Sequence, residues 1–283
     1  MNHHFRKSLG FTLLEVVVVI VITGVMGAMM AVFIKAPVQG YVDSSRRAEM
    51  TDAADIALRR LARDIRTSVP NSIRVLGCGG VPCVEYLPTR DGGRYRSNTP
   101  GNPLSFGVID GVFDIVGVPI VFAAGDQIVV GSTQSDGNPP YDDTIIGIRR
   151  AYIGPLGVPQ ATVSMGAIVL PLWAEIAPQR FHVVDGAQGA VTYACVGAGI
   201  DGNGNGTGVL NRYAGYGYNV PQVPPLALPA LPAPTVLANQ LSACAITYNP
   251  VSQRNALLEV TLTIRRANEV VSLYQATHIS NLP

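Results

Sequence analysis

The sequence predicts an α+β fold: a long N-terminal hydrophobic helix that continues into an amphipathic helix packed on an antiparallel β-sheet body. Three observations predict it. An apolar run occupies Phe11–Ile34, apolar residues then recur every third or fourth position from Met50 to Ile65, and beyond Ser72 short apolar segments alternate with clusters of Gly, Pro, Asn and Asp. A helical spine followed by successive strands is the α+β plan. Charged residues make up only 14 % of the chain and the formal net charge is +1. That balance lacks the basic stripe of a nucleic-acid binder, so no nucleic-acid partner is expected. The 30 Gly and 21 Pro suit a loop-rich β body better than a helical bundle.

Only Thr12, Glu15, Thr23, Gly24 and Gly27 interrupt the apolar run. As a helix it spans about 36 Å, enough to cross a bilayer with some tilt. Arg6 and Lys7 precede it, which by the positive-inside rule keeps the N-terminus cytoplasmic and sends the rest through the inner membrane. Four cysteines, Cys78, Cys83, Cys195 and Cys244, are an even number behind an export signal and imply two disulfides. Three pairings are open. Cys78–Cys83 would close the tight loop CGGVPC, leaving Cys195–Cys244 to tie two parts of the C-terminal half.

Glu15 is the anomaly. A carboxylate in hydrocarbon costs about 2.5–3.5 kcal/mol at mid-membrane and less near an end. An ordinary secretory leader does not explain it: the apolar stretch is too long, and Val25-Met26-Gly27 is a poor small-x-small cleavage site. The segment Gly10-Phe11-Thr12-Leu13-Leu14-Glu15, behind the short basic leader MNHHFRKSLG, resembles the processing site of class III signal peptides, found in type IV prepilins and the pseudopilins of type II secretion. The resemblance implies cleavage between Gly10 and Phe11 by prepilin peptidase and N-methylation of Phe11. It also implies lateral packing of the helix with other pilin subunits, in which Glu15 faces the Phe11 amine of a neighbour. A paired buried charge is penalised far less than a stranded one, so such a pair sets register between subunits. The plainer alternatives are that Glu15 reaches the headgroups or pairs with its own amine.

Further along, Val38–Val75 (VQGYVDSSRRAEMTDAADIALRRLARDIRTSVPNSIRV) and the ending SLYQATHISNLP resemble minor pilins of mannose-sensitive haemagglutinin (MSHA) pili, close to minor pseudopilins. This implies an inner-membrane precursor with a periplasmic body that later joins a pilus at the cell surface with other minor pilins. The expected organisation is a leader peptide at 1–10, an assembly helix at 11–35, an amphipathic helix at 36–69 and a β-rich body at 70–283. A minor pseudopilin, or a tip adhesin on the same anchor, are the rival readings.

Pro37 should kink the helix, and an amphipathic segment should resume after Gly40 and run over Asp43–Thr67, capped by Asp43, Ser44 or Ser45. Its buried face reads Met50, Ala54, Leu58, Leu61 and Ile65. Arginines gather on the opposite face, interleaved with Asp55 and Asp64 as a solvated surface. Strands are predicted at Ile73–Leu76, Val84–Leu87, Phe113–Val116, Gln127–Val130, Thr144–Ile148, Ile168–Leu170, Phe181–Val184 and Val191–Ala194. The clearest alternation comes last: Leu258, Val260, Leu262 and Ile264 share one face, and a turn at Ala267-Asn268 leads into a returning strand, Glu269–Thr277.

Two loops carry candidate chemistry. Val220–Thr235 holds six prolines and reads as an extended, stiff connector. Asp201, Asn203 and Asn205, followed by Gly206, match the opening of a calcium loop of the D-x-N-x-N-G kind, but Arg212 stands where a bidentate glutamate belongs. A flexible Gly-Asn turn is the simpler reading, and no cofactor is otherwise expected. His182 and His278 are isolated, and no metalloprotease, nucleophile-elbow or phosphate-loop motif occurs. The sequence therefore points to a structural subunit and not to an enzyme.

Overall fold

The computed structural model describes residues 12–76, 78–133, 139–228, 233–251 and 254–282. The chain divides into two compact units, Met1–Glu49 and Met50–Pro283. Helix α1, Leu13–Arg66, contributes to both. It runs unbroken through Pro37 and Gly40, so the predicted interruption and fresh start at Asp43 are absent. A proline removes one N–H from the ladder, and the turns on either side are enough to carry a helix of 54 residues across the gap. Asp43 accepts from Arg46 at 3.2 Å instead of capping. Arg63 and Arg66 occupy the last turn, where cations complement the helix dipole.

In the second unit the predicted face of α1 is buried: Met50, Ala54, Leu58, Leu61 and Ile65 are all 3 % exposed or less. They pack on a six-stranded antiparallel sheet, in the order β1 (Cys83–Tyr86), β10 (Val191–Val196), β11 (Gly208–Tyr213), β12 (Thr235–Pro250), β13 (Asn255–Arg266) and β14 (Glu269–Ser280). Leu258, Val260, Leu262 and Ile264 point into this core, as their alternation predicts. Ala267 and Asn268 both take positive φ, 49° and 68°. Two such residues in a row make the primed turn whose twist matches a tight hairpin.

Between β1 and β10 the chain builds a second sheet, ordered β6 (Arg149–Ala151), β5 (Gln127–Val130), β9 (Arg180–Val184), β2 (Thr89–Tyr95), β3 (Ile109–Val116) and β8 (Thr162–Val169). A bridge from Tyr152 to Met165 joins its two ends, so the sheet closes on itself around an aromatic core. Phe113 meets Phe181 edge-on at 5.3 Å, and Phe122 stacks on Tyr152 at 3.9 Å. The short strands β4 (Ile120–Val121) and β7 (Pro159–Gln160) form a separate ribbon.

A buried polar cluster joins the two sheets. Arg74 donates to Glu85 at 2.7 Å and to the carbonyls of Asn219 and Val220, and its guanidinium lies 3.5 Å from the ring centre of Tyr141. The Tyr141 hydroxyl donates to the Ser72 carbonyl at 3.0 Å. Burial raises the Glu85 carboxyl above its usual value despite the pull of Arg74 in the other direction. Arg74 and Glu85 are 4 % and 1 % exposed, so removing either partner would strand a charge in the interior.

Several predicted strands shift. Ile73–Leu76 supplies only a bridge from Arg74 to Glu85, with Leu76 exposed. Thr144–Ile148 is a loop, with a turn from Gly147 N–H to Thr144 O before β6 begins. Ile168–Leu170 is the tail of β8, a longer strand that starts at Thr162. Unpredicted are β2, whose sequence TRDGGRY is polar, the short β4, β6 and β7, β11, and β12, the longest strand, in which Ala, Ser, Asn and Gln break up the Val, Leu and Ile.

Candidate functional site: the head of the apolar helix

Thr12 and Glu15 build the start of α1 together. The Glu15 N–H donates to Thr12 Oγ1 at 3.3 Å, and the Thr12 N–H donates back to Glu15 Oε2 at 3.4 Å. This is a capping box, in which two orphan amides of the first turn are satisfied reciprocally. The T-x-x-E spacing spells it in the sequence, with Thr12 as the cap residue. The arrangement places a carboxylate at the positive end of the helix dipole. Thr12 keeps its amide N–H after any cut between Gly10 and Phe11, so this cap belongs equally to a processed chain. Gly10 and Phe11 lie outside the described residues, as does any contact between Glu15 and the Phe11 amine.

Beyond the first turn the helix is apolar on every side. Leu13, Leu14, Val16–Ile22, Val25, Met26, Met29, Met30, Val32, Phe33 and Ile34 are all exposed. The one hydroxyl among them, Thr23, turns inward and donates to the carbonyls of Val19 at 2.7 Å and Ile20 at 3.1 Å, which hides it from an apolar medium. Gly24 and Gly27 are helical, and a Cβ added at either meets nothing within 4 Å. Their small size is therefore not required by any contact within the described chain, and it leaves two flat places on the helix surface at which another helix can approach closely.

The other candidate residues sit in the second unit. Cys78 bonds Cys83, and Cys195 bonds Cys244. The second bridge links β10 to β12 across the intervening β11. Asp201 turns its carboxylate onto its own loop: Oδ1 accepts the N–H groups of Asn203 and Asn205 at 2.9 and 2.8 Å, and Oδ2 accepts from the Asn205 amide at 3.3 Å. Asn205 Oδ1 accepts the Ala267 N–H at 2.8 Å. The Asp201 carboxylate and Asn205 Oδ1 thus accept from N–H donors, and Arg212 donates to Asp64. They act as a clasp on the β13–β14 turn, where Gly204, at φ +74°, leaves room that a Cβ would take from the Asn268 side chain. Among the described residues no group of three or more His, Cys, Asp or Glu is placed to hold a metal.

Residues 5–31 match the family model described as the prokaryotic N-terminal methylation motif. No curated protein and no solved structure matches the chain significantly. The matched span takes in the basic leader, Gly10, Phe11, Thr12, Glu15 and most of the apolar helix. It coincides with the one helix among the described residues that is long and apolar enough to cross a membrane. Proteins that carry this motif are processed by prepilin peptidase and assemble with other pilins. The chain thus carries, at the head of its long apolar helix, the methylation motif that marks precursors of the type IV pilin and pseudopilin kind.

Proposed function

We propose that this protein is a minor pilin of a type IV pilus, of the MSHA kind, that enters the filament at low copy near its tip. The observation that carries the reading is a single carboxylate, Glu15, in the first turn of the otherwise uncharged apolar stretch Leu13–Ile34, headed by the methylation motif. Water adds across the Gly10–Phe11 amide, leaving the glycine carboxylate on the leader and a free amine on Phe11, which is then methylated. The cut removes Arg6 and Lys7 with the leader, and the helix can leave the bilayer for a bundle of its own kind. There Glu15 meets the Phe11 amine of the adjoining subunit, and a misplaced subunit leaves a carboxylate stranded. The closed second sheet supports the tip position, because it is bulk that a repeating shaft would have to accommodate in every subunit.

N-terminal mass analysis of the mature protein should find methylated Phe11; an intact Met1 overturns the reading. Glu15→Ala should leave insertion and cleavage intact and reduce incorporation into filaments by about tenfold or more, the scale set by an unpaired buried charge. Equal incorporation would remove Glu15 from the mechanism. Appearance of the protein on surface pili, rather than in a periplasmic pseudopilus, separates this proposal from the secretion reading.

A further inference from the structure

Among the described residues the edges of the two large sheets are covered, with one exception. Residues 68–74 run beside β1 through the Ser68–Pro88 and Arg74–Glu85 bridges, and the second sheet closes through Tyr152 and Met165. β14 pairs with β13 along its full length without a bulge and, among the described residues, pairs with no strand on its other side. Edge strands are ordinarily blunted by lysine, proline, bulges or short length. β14 has none of these: its 12 residues, EVVSLYQATHIS, contain one formal charge, Glu269 at the very start. The edge therefore offers a straight row of backbone donors and acceptors.

A groove runs beside it. Arg59, Ala62, Arg63, Arg66 and Thr67 at the end of α1 line it together with Gln275 of β14. Arg63 and Arg66 are exposed, and Arg59 reaches Asp55 at 2.7 Å. On the strand, Val271, Leu273 and Gln275 face the helix and are only partly buried. A neutral strand edge and a cationic helix flank thus share one opening.

We propose that the free edge of β14 and the arginine groove form a single docking site for an extended acidic segment of another polypeptide. That segment adds to the sheet as a seventh strand and sets its carboxylates against Arg63 and Arg66. Backbone pairing supplies the affinity, as in other cases of strand addition, and charge selects the partner. A second copy of this chain is the wrong occupant, because its own β14 edge is flanked by the same arginines and like charges would meet. The inference stands on the edge and the arginines, whether or not the chain enters a pilus.

The test uses the full chain in zwitterionic detergent and a fluorescent peptide of alternating glutamate and valine, with a matched peptide carrying lysine for glutamate. The acidic peptide should bind, more weakly at high salt, and slow hydrogen exchange at β14 amides; the lysine peptide should not bind. Arg63→Ala with Arg66→Ala should weaken binding by about tenfold or more, and so should Val270→Glu with Ser272→Glu. All four positions are exposed, and unchanged thermal unfolding of both variants checks that the fold is kept. Absence of acidic-peptide binding, equal binding of the lysine peptide, indifference to either double variant, or unchanged β14 exchange overturns the proposal. Arginine-dependent binding of anionic vesicles in place of the peptide also overturns it, and makes the groove a lipid contact.

Discussion

Leu13–Ile34 and Met50–Arg66 are stretches of one helix, but their side chains are treated in opposite ways. In the first stretch apolar residues occupy every side and are exposed; in the second they occupy one stripe and are buried against the first sheet. A stripe can be satisfied by a single surface, which a chain can supply for itself. A helix apolar all round has no such solution and needs an apolar medium, either lipid or a bundle of similar helices. The same backbone geometry thus packs onto the chain's own sheet at one end and presents an all-apolar surface at the other, and the hydrophobic period alone separates the two.

The contrast can be broken at several points. The largest effect is expected from the disulfides, both of which lie in the second unit. On the chain-entropy scale, losing Cys195–Cys244, with a separation of 49 residues, costs the body about 4 kcal/mol, and losing Cys78–Cys83, with a separation of 5, costs about 2 kcal/mol. Denaturant unfolding of the Cys→Ser pairs measures both, while helicity of the apolar stretch should not change. Next, Leu61→Ala should destabilise the body by about 2–5 kcal/mol through an unfilled core site, whereas Val18→Ala should leave body unfolding unchanged. Equal effects from these two would erase the distinction between the stretches.

Acid supplies a third handle. Burial, aided by the charge of Arg180, lowers the His182 imidazole to about 4 from an ordinary 6.5. The unfolded chain therefore takes up this proton first. Stability from neutral His182 is complete above pH 6.5 and is lost as pH falls from there toward 4, by about 3 kcal/mol in the limit. His182→Gln should flatten that slope in the unfolding free energy. The smallest effect belongs to the capping box: Thr12→Ala should cost about 1 kcal/mol of local helix stability, read as faster amide exchange over Leu13–Glu15 with body stability unchanged.

Legibility in the sequence followed the range of the interaction. The helix face Met50–Ile65 and the C-terminal hairpin were readable because a period of 3.6 or 2 repeats over a dozen residues. The T-x-x-E cap is equally local, and in it Glu15 acts as a hydrogen-bond acceptor as well as a charge. β2 was not readable, because TRDGGRY has no apolar alternation; it is a strand because β9 and β3 pair with it, and Gly93 leaves space that Phe181 fills. β12 was not readable, because Ala, Ser, Asn and Gln break up its Val, Leu and Ile; it is a strand because β11 and β13 pair with it on either side. The D-x-N-x-N-G spacing suggested a cation; Asp201 accepts from amides of its own loop, and the approach of the β13–β14 turn adds the bond from Ala267 to Asn205.

By itself, then, the sequence determined the long apolar helix, its motif-bearing head, the buried stripe further along and the last hairpin, since each is written in residues within a few turns of one another. Tertiary structure alone decided that the chain between Tyr86 and Val191 forms a second, closed sheet, that Arg74 and Glu85 meet at the junction, and that β14 has no outer neighbour among the described residues. Those outcomes depend on which segments far apart in the chain come to lie side by side, and no local period or propensity encodes that choice.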